Sequence, residues 1–186
     1  TYAVHNLLAE INMGAERISA IVKALKSYSY LDQAPLQQVD LAEGLDNTLL
    51  ILRSKLKDIS VRREYEPNLP GITGYGSELN QVWTNLIDNA ADALAQTPNP
   101  AITLRTRLRG DWVSVDVEDN GPGIPPEMQS RIFEPFFTTK PPGKGTGLGL
   151  DITYNIIVNK HRGEIKLFSQ PGRTTFQVLL PVNFEK

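Results

Sequence analysis

Two glycine-rich stretches and one pair of asparagines carry residue types that could do chemistry. Val117-Glu-Asp-Asn-Gly-Pro-Gly123 runs from an apolar alternation into a carboxylate followed by two glycines. An aspartate there offers one acceptor while the glycines let a ligand approach bare backbone; the same residues also make a strong turn. Gly143-Lys-Gly-Thr-Gly-Leu-Gly149 leads into a helical pattern. Backbone N–H groups ahead of a helix, together with its dipole, favour an anion such as phosphate. The spacing is not that of a P-loop, which puts Gly-Lys-Ser/Thr after four spacers from another glycine. Nor is it the dinucleotide fingerprint, whose G-x-G-x-x-G is missing and whose acidic residue follows rather than precedes. Asn85 and Asn89 lie one helical turn apart, and with Asp92 and Gln96 they form a stripe beside the apolar one. Amides at such a border are either packed against partners or aimed at a ligand.

The elements that must position these groups follow from periodicity. Leu79, Val82, Trp83, Leu86, Ala90 and Ala93 predict the apolar stripe of a long helix over about 77–96, ended by Pro98. Asp40 with Glu43 three residues on predicts a capped helix start, and Leu41, Leu45, Leu49, Leu52 and Leu56 its buried stripe. Alternation predicts a strand at 59–65, then loop over 67–76. Ile102, Leu104 and Leu108, then Val113, Val115 and Val117, predict a hairpin turning at Arg109-Gly110-Asp111. A short helix is expected near 125–132, a longer one over 148–161 with Gly163 as its C-cap, and a closing hairpin around Pro171-Gly172. Residues 1–30 read as one helix whose face Val4, Leu7, Ile11, Ile18, Ile21 and Leu25 needs a partner. That partner is a dimeric bundle or the chain's own domain. Helices and antiparallel hairpins segregate, which predicts an α+β class: one mixed sheet with helices on one face.

Composition narrows the rest. The 186 residues allow one domain or one domain with an appendage. With 40% apolar and 22% charged residues the chain is of globular type. A net charge of −2 gives no basic footprint for nucleic acid or an anionic membrane. The absence of cysteine excludes a thiol nucleophile and a cysteine-ligated metal site, and fits a cytoplasmic location. No apolar run approaches the length of a membrane span. The first residue is not Met, so a piece of a longer protein is expected.

The order of the motifs is more specific than any one of them. Asn85-Leu-Ile-Asp-Asn-Ala-Ala-Asp-Ala-Leu94, then Asp119-Asn-Gly-Pro-Gly123, then Phe133-Glu-Pro-Phe-Phe137, then Gly145-Thr-Gly-Leu-Gly-Leu150 resembles the ATP-binding domain of the sensor histidine kinases. The family has the Bergerat fold, a two-layer α/β sandwich. Thr174 to Pro181 looks like its closing strand. The short stretch Thr138–Lys144 is similar to the lid of the nitrogen-regulation branch. The resemblance covers about residues 36–186, the expected catalytic domain. Residues 1–35 resemble the second helix of the dimerisation hairpin plus a linker.

The resemblance implies ATP and Mg²⁺ as cofactors and a role for each residue. Asp119 would accept from the adenine amino group, with Thr174 nearby. Asn89 would ligate Mg²⁺, and Asn85 would support the metal or the phosphates. Gly145, Gly147 and Gly149 would cradle phosphates. Lys140 and Lys144 would meet charge on the γ-phosphoryl group, or else are solvated lid charges. Asp92 is a further contact or a surface carboxylate. Gly121, Gly123, Ile124, Phe136, Thr138, Thr139, Thr146 and Leu148 complete the implied nucleotide contacts. Hydrolysing relatives of this fold carry Glu where this chain has Asn85. A carboxylate there can deprotonate water, whereas a neutral imidazole needs no such base. Asn85 therefore favours phosphoryl transfer to histidine.

The acceptor itself departs from the family pattern of His, then Asp or Glu, then Pro. His5 is followed by Asn6 and no Pro, and His161 lies inside the ATPase part. The expected acceptor is on an upstream helix of the same or a partner subunit. A response-regulator receiver and a homodimer of the intact protein are the implied partners. The alternatives are an anti-sigma-type serine kinase or a nucleotide-binding regulatory module of the same fold.

Overall fold

The computed structural model describes residues 36–141 and 145–183. The expected bundle helix with His5, and Lys144 of the lid, lie outside the described residues. Chain entry is through β1 (Gln37–Val39), which pairs antiparallel with β3 (Ile72–Gly74), Val39 opposite Ile72. This ribbon corrects the expectation of loop over 67–76. Three residues are too few for alternation to show, and their partner lies far along the chain.

Helix α1 (Leu41–Ile51) begins as its sequence predicts, with the Asp40 carboxylate accepting from the Glu43 N–H at 3.0 Å. Its Leu41, Leu45 and Leu49 are buried, and the helix packs on α2 (Gly76–Ala93). Strand β2 (Ser60–Tyr65) runs parallel to β4 (Ala101–Arg109). A turn through Gly110 returns the chain as β5 (Trp112–Asp119), antiparallel to β4. After α3 (Pro126–Gln129) and the lid comes α4 (Gly149–Tyr154), then the closing hairpin of β6 (Glu164–Gln170) and β7 (Arg173–Pro181). The five-stranded sheet has the order β2-β4-β5-β7-β6, parallel only between β2 and β4.

The sheet is two-faced. Ile102 and Leu104, Val113, Val115 and Val117, and Phe176, Val178 and Leu180 point into the helical layer and are buried. From the helices, Leu79, Val82, Trp83 and Leu86 of α2 are fully buried against them. The opposite face is polar, with Glu118 held by Arg105 and Arg173. This is the expected mixed sheet with helices on one face.

Four details differ from the expectation. Helix α1 ends at Ile51, so Leu52 is only partly buried and Leu56 is buried from the turns beyond the helix. The helix α2 stops at Ala93, which is exposed where it borders a cavity, and Ile87, Ala91 and Leu94 are buried as well as the rest of the expected stripe. Leu108 is 42% exposed, because β4 outruns the helical layer there. The long last helix is α only to Tyr154 and then π over Asn155–Lys160. The left-handed residue that ends it is Arg162, φ 52°, and not Gly163. Gly163 is needed for space: a Cβ there would lie 2.4 Å from the Leu179 carbonyl oxygen.

Candidate functional site

The ends of β5 and β7, the amide face of α2 and the lid enclose a cavity of about 540 Å³. It brings together Asn85, Asn89, Asp92, Asp119, Gly123, Ile124, Thr138, Thr139, Lys140, Gly145, Thr146, Gly147, Gly149 and Thr174. Gly121, Phe136 and Leu148 do not line it. Gly121 instead donates its N–H to Asp119 Oδ1 at 2.9 Å. Phe136 is 63% exposed at φ 66°, and Phe137 lines the cavity in its place. The apolar walls add Met128, Ile132, Phe137, Leu150 and Phe176 to the expected Ile124, and no motif or spacing marks these five as cavity residues. The spacing of Phe133, Phe136 and Phe137 signals a packed aromatic segment but not which ring turns inward.

Asp119 and Thr174 are opposed in register at the end of β5 and β7, both nearly buried. Burial pushes the Asp119 carboxyl up to about 6; the Gly121 N–H opposes this and the neighbouring Glu118 charge adds to it. The Gly121 N–H satisfies one carboxylate oxygen, and Asp119 lines the cavity, so the carboxylate can take a further donor from a ligand there. The loop after it is fixed by steric need. Gly123 has φ 85°, and a Cβ there would lie 2.6 Å from the Gln170 carbonyl oxygen.

The second polar group lies on α2. Asn85 Nδ2 donates to the Gly149 carbonyl at 2.9 Å and to Thr153 Oγ1 at 3.3 Å. Thr153 Oγ1 donates to the same carbonyl at 2.8 Å. This ties the start of α4, and so the end of the glycine stretch, to α2. Asn89 Oδ1 accepts from Lys140 Nζ at 3.3 Å, and Lys140 also pairs with Asp92. Lys55, which the sequence did not single out, reaches Asp88 and Asp92, each at 2.5 Å. Burial raises the Asp92 carboxyl, but Lys140 and Lys55 outweigh it and hold it below the usual carboxylate range. The lid closes on Gly147, φ 67°, where a Cβ would lie 2.4 Å from the Phe136 carbonyl carbon. Phe133 anchors the segment between Tyr154 and Phe176, at ring distances of 5.6 and 6.5 Å.

His161 is fully buried and cannot serve as an acceptor. Its Nε2 accepts from the Tyr75 N–H at 3.0 Å, and Nδ1–H donates to the Ile156 carbonyl at 2.8 Å. Both ring nitrogens are therefore used within the fold.

Residues 74–183 match the family of histidine kinase-, DNA gyrase B- and HSP90-like ATPases, more than half of the chain. The chain belongs to this ATPase family. Within it the likeness runs to histidine kinases. The sensory histidine kinase/phosphatase NtrB of Vibrio alginolyticus is 38% identical over 136 residues, 68% of this chain and 38% of that protein. NtrB of Rhizobium leguminosarum bv. phaseoli is 34% identical over 185 residues, 90% of this chain and 47% of that protein. The chain thus spans less than half the length of these relatives. The catalytic domain of the histidine kinase ThkA superposes with a TM-score of 0.71 at 29% identity, covering 80% of this chain and 97% of that domain. ThkA in complex with its response regulator TrrA gives a TM-score of 0.73 at 26% identity, over 91% of this chain and 48% of ThkA. The described residues form an ATP-binding catalytic domain of the histidine kinase type, and the nitrogen-regulation likeness read from the lid agrees with the NtrB relatives.

Proposed function

We propose that this chain binds Mg·ATP in the cavity and passes the γ-phosphoryl group to a histidine on a dimerisation helix. The observation that carries this reading is Asn85, whose amide is spent donating to Gly149 and Thr153. A carboxylate at this position would set its oxygens against the Gly149 carbonyl, and the amide itself takes no proton from water. Imidazole attacks with its own lone pair, so the site serves transfer to histidine better than hydrolysis.

Asp119 then accepts from the adenine amino group, and the apolar walls cover the faces of the base. Mg²⁺ requires hard oxygen donors and keeps much of its shell for phosphates and water. Asn89 Oδ1 fits that demand, since a cation, the Lys140 ammonium, already rests against it. Asp92 stands one turn on, and among the described residues no group of three or more His, Cys, Asp or Glu forms a metal site of its own. The ion, when bound, neutralises phosphate charge during transfer. Asn85 holds the phosphate loop in register, and Lys140 supplies a mobile positive charge from the lid.

The partners we infer are a phosphoacceptor helix in the same or a second subunit and a receiver domain. The ThkA–TrrA complex supports the second by likeness. A division at residue 36 and a cytoplasmic location complete the reading; among the described residues no helix is long and apolar enough to cross a membrane.

The test is to incubate the chain with labelled ATP, Mg²⁺ and the dimerisation hairpin of an NtrB relative. Acid-labile, base-stable label on the hairpin histidine is expected, with slow phosphate release in its absence. Rapid release of phosphate with no label transferred would overturn the proposal.

A further inference from the structure

The β6–β7 hairpin grips the loop that follows Asp119. Gly172 N–H donates to the Gly121 carbonyl at 2.9 Å. Gln129 Nε2 donates to the carbonyls of Ile124, at 2.8 Å, and Ser169, at 3.3 Å. Ser169 sits at the centre of this grip. It is the register partner of Thr174, their hydroxyl oxygens are 2.9 Å apart, and its Oγ accepts from the Ile124 N–H at 2.8 Å.

A hydroxyl has one hydrogen to give and two lone pairs. Ile124 occupies one lone pair of Ser169. The acceptor that stands within reach of the Ser169 hydrogen is Thr174 Oγ1. Thr174, in contrast, lines the cavity and has an open direction for its own hydrogen. Either oxygen could give the hydrogen of the Ser169–Thr174 bond; the direction that leaves Thr174 a hydrogen for a ligand runs from Ile124 N–H to Ser169, from Ser169 O–H to Thr174, and from Thr174 O–H into the cavity. Each donor strengthens the next, because a hydroxyl that accepts a bond gives its own hydrogen more readily.

We propose that Ser169 is a positioning residue for base selection, which orients the Thr174 hydroxyl as a donor beside the Asp119 acceptor. The inference rests on the reading of the cavity as an ATP site. An acceptor and a donor side by side match the edge of adenine, whose amino group gives a hydrogen and whose N1 takes one. Guanine presents the reverse at the same two positions, a carbonyl oxygen and an N1–H. Without Ser169 the Thr174 hydroxyl turns freely, and the pattern loses its sense.

Calorimetric titration of the full chain with Mg·ADP, Mg·GDP and the 1-deaza analogue of ADP, which carries C–H in place of N1, tests this. Ser169→Ala should weaken ADP about 5- to 20-fold and the 1-deaza analogue less than about twofold, with the preference over GDP reduced in step. Ser169→Thr should restore the preference for ADP over the 1-deaza analogue. Equal weakening of ADP and its analogue would mean that Ser169 merely braces the loop, and unchanged ADP affinity would mean that it does nothing here. Either result overturns the proposal. If Ser169→Ala fails to fold, Ser169→Cys keeps the volume with a weak donor and should give the same selective loss in smaller measure. Failure of the wild-type chain to bind ADP would instead overturn the ATP reading itself.

Discussion

The Lys140 ammonium lies 3.3 Å from the Asn89 side-chain oxygen and pairs with Asp92 on the next turn of the same helix. On the proposed reading, in which Asn89 would hold Mg²⁺, this lid charge would compete with the ion for Asn89 and would be free to meet phosphate oxygens once nucleotide is bound. Lys140→Gln should leave Mg·ADP affinity within about threefold of wild type while slowing phosphoryl transfer about 10- to 1000-fold. Titration and single-turnover transfer, measured on the same preparation, separate the two. An equal loss in both would place Lys140 in ground-state binding instead.

Asp119 is the costly residue of the site. Its carboxyl is raised from 3.8 to about 6. Between those values the folded chain holds a proton the unfolded chain has lost, so stability falls as pH rises through this window. The cost is full above about 6. Asp119→Asn keeps an oxygen for the Gly121 N–H but carries no charge. At pH 7.5 it should stabilise the nucleotide-free chain by about 2–3 kcal/mol and abolish ADP binding. In the wild type, ADP affinity should weaken as pH falls through about 6. Denaturant melts of both forms between pH 5 and 8 check the sign, and a variant less stable than wild type at pH 7.5 would refute it.

His161 makes the opposite contribution to pH dependence. Burial holds its imidazole below the usual 6.5, despite the Ile156 carbonyl, and Lys160 pushes the same way. Above 6.5 the folded and unfolded forms are both neutral. As pH falls below 6.5 the unfolded chain takes the proton first, and stability drops. His161→Gln should cost about 1–3 kcal/mol at neutral pH through the loss of a bridged donor and acceptor, and should flatten this acid-side decline. No acid-labile phosphate is expected on His161 under any condition that leaves the chain folded.

Gly147 tests the hinge of the lid. A side chain there meets both a left-handed φ of 67° and the Phe136 carbonyl carbon at 2.4 Å. Gly147→Ala should weaken nucleotide binding at least about tenfold while moving the melting midpoint little, because the lid lies outside the core. A wild-type affinity would show that the lid relaxes around the methyl group.

Residues alone determined the layout of this protein. Capping at Asp40, the alternation of β4 and β5, and the turn at Gly110 are local preferences, and each formed where its residues indicated. Most of the polar residues that line the cavity are ones the motifs imply as ligand contacts, Asp88 being the exception. Packing between distant segments decided the rest. The β1–β3 ribbon depends on partners far apart in sequence. The residues that follow the π turn, His161 and Gly163, meet Tyr75 and Leu179, which no local pattern names. Phe136 and Phe137 are adjacent and chemically identical, and only the left-handed turn at Phe136 decides that Phe137 faces the cavity. Lys55 and Ser169 carry no local signal for the same reason. Their meaning comes from Asp92 and Thr174, which approach them only when the helical layer closes over the sheet and the last hairpin pairs.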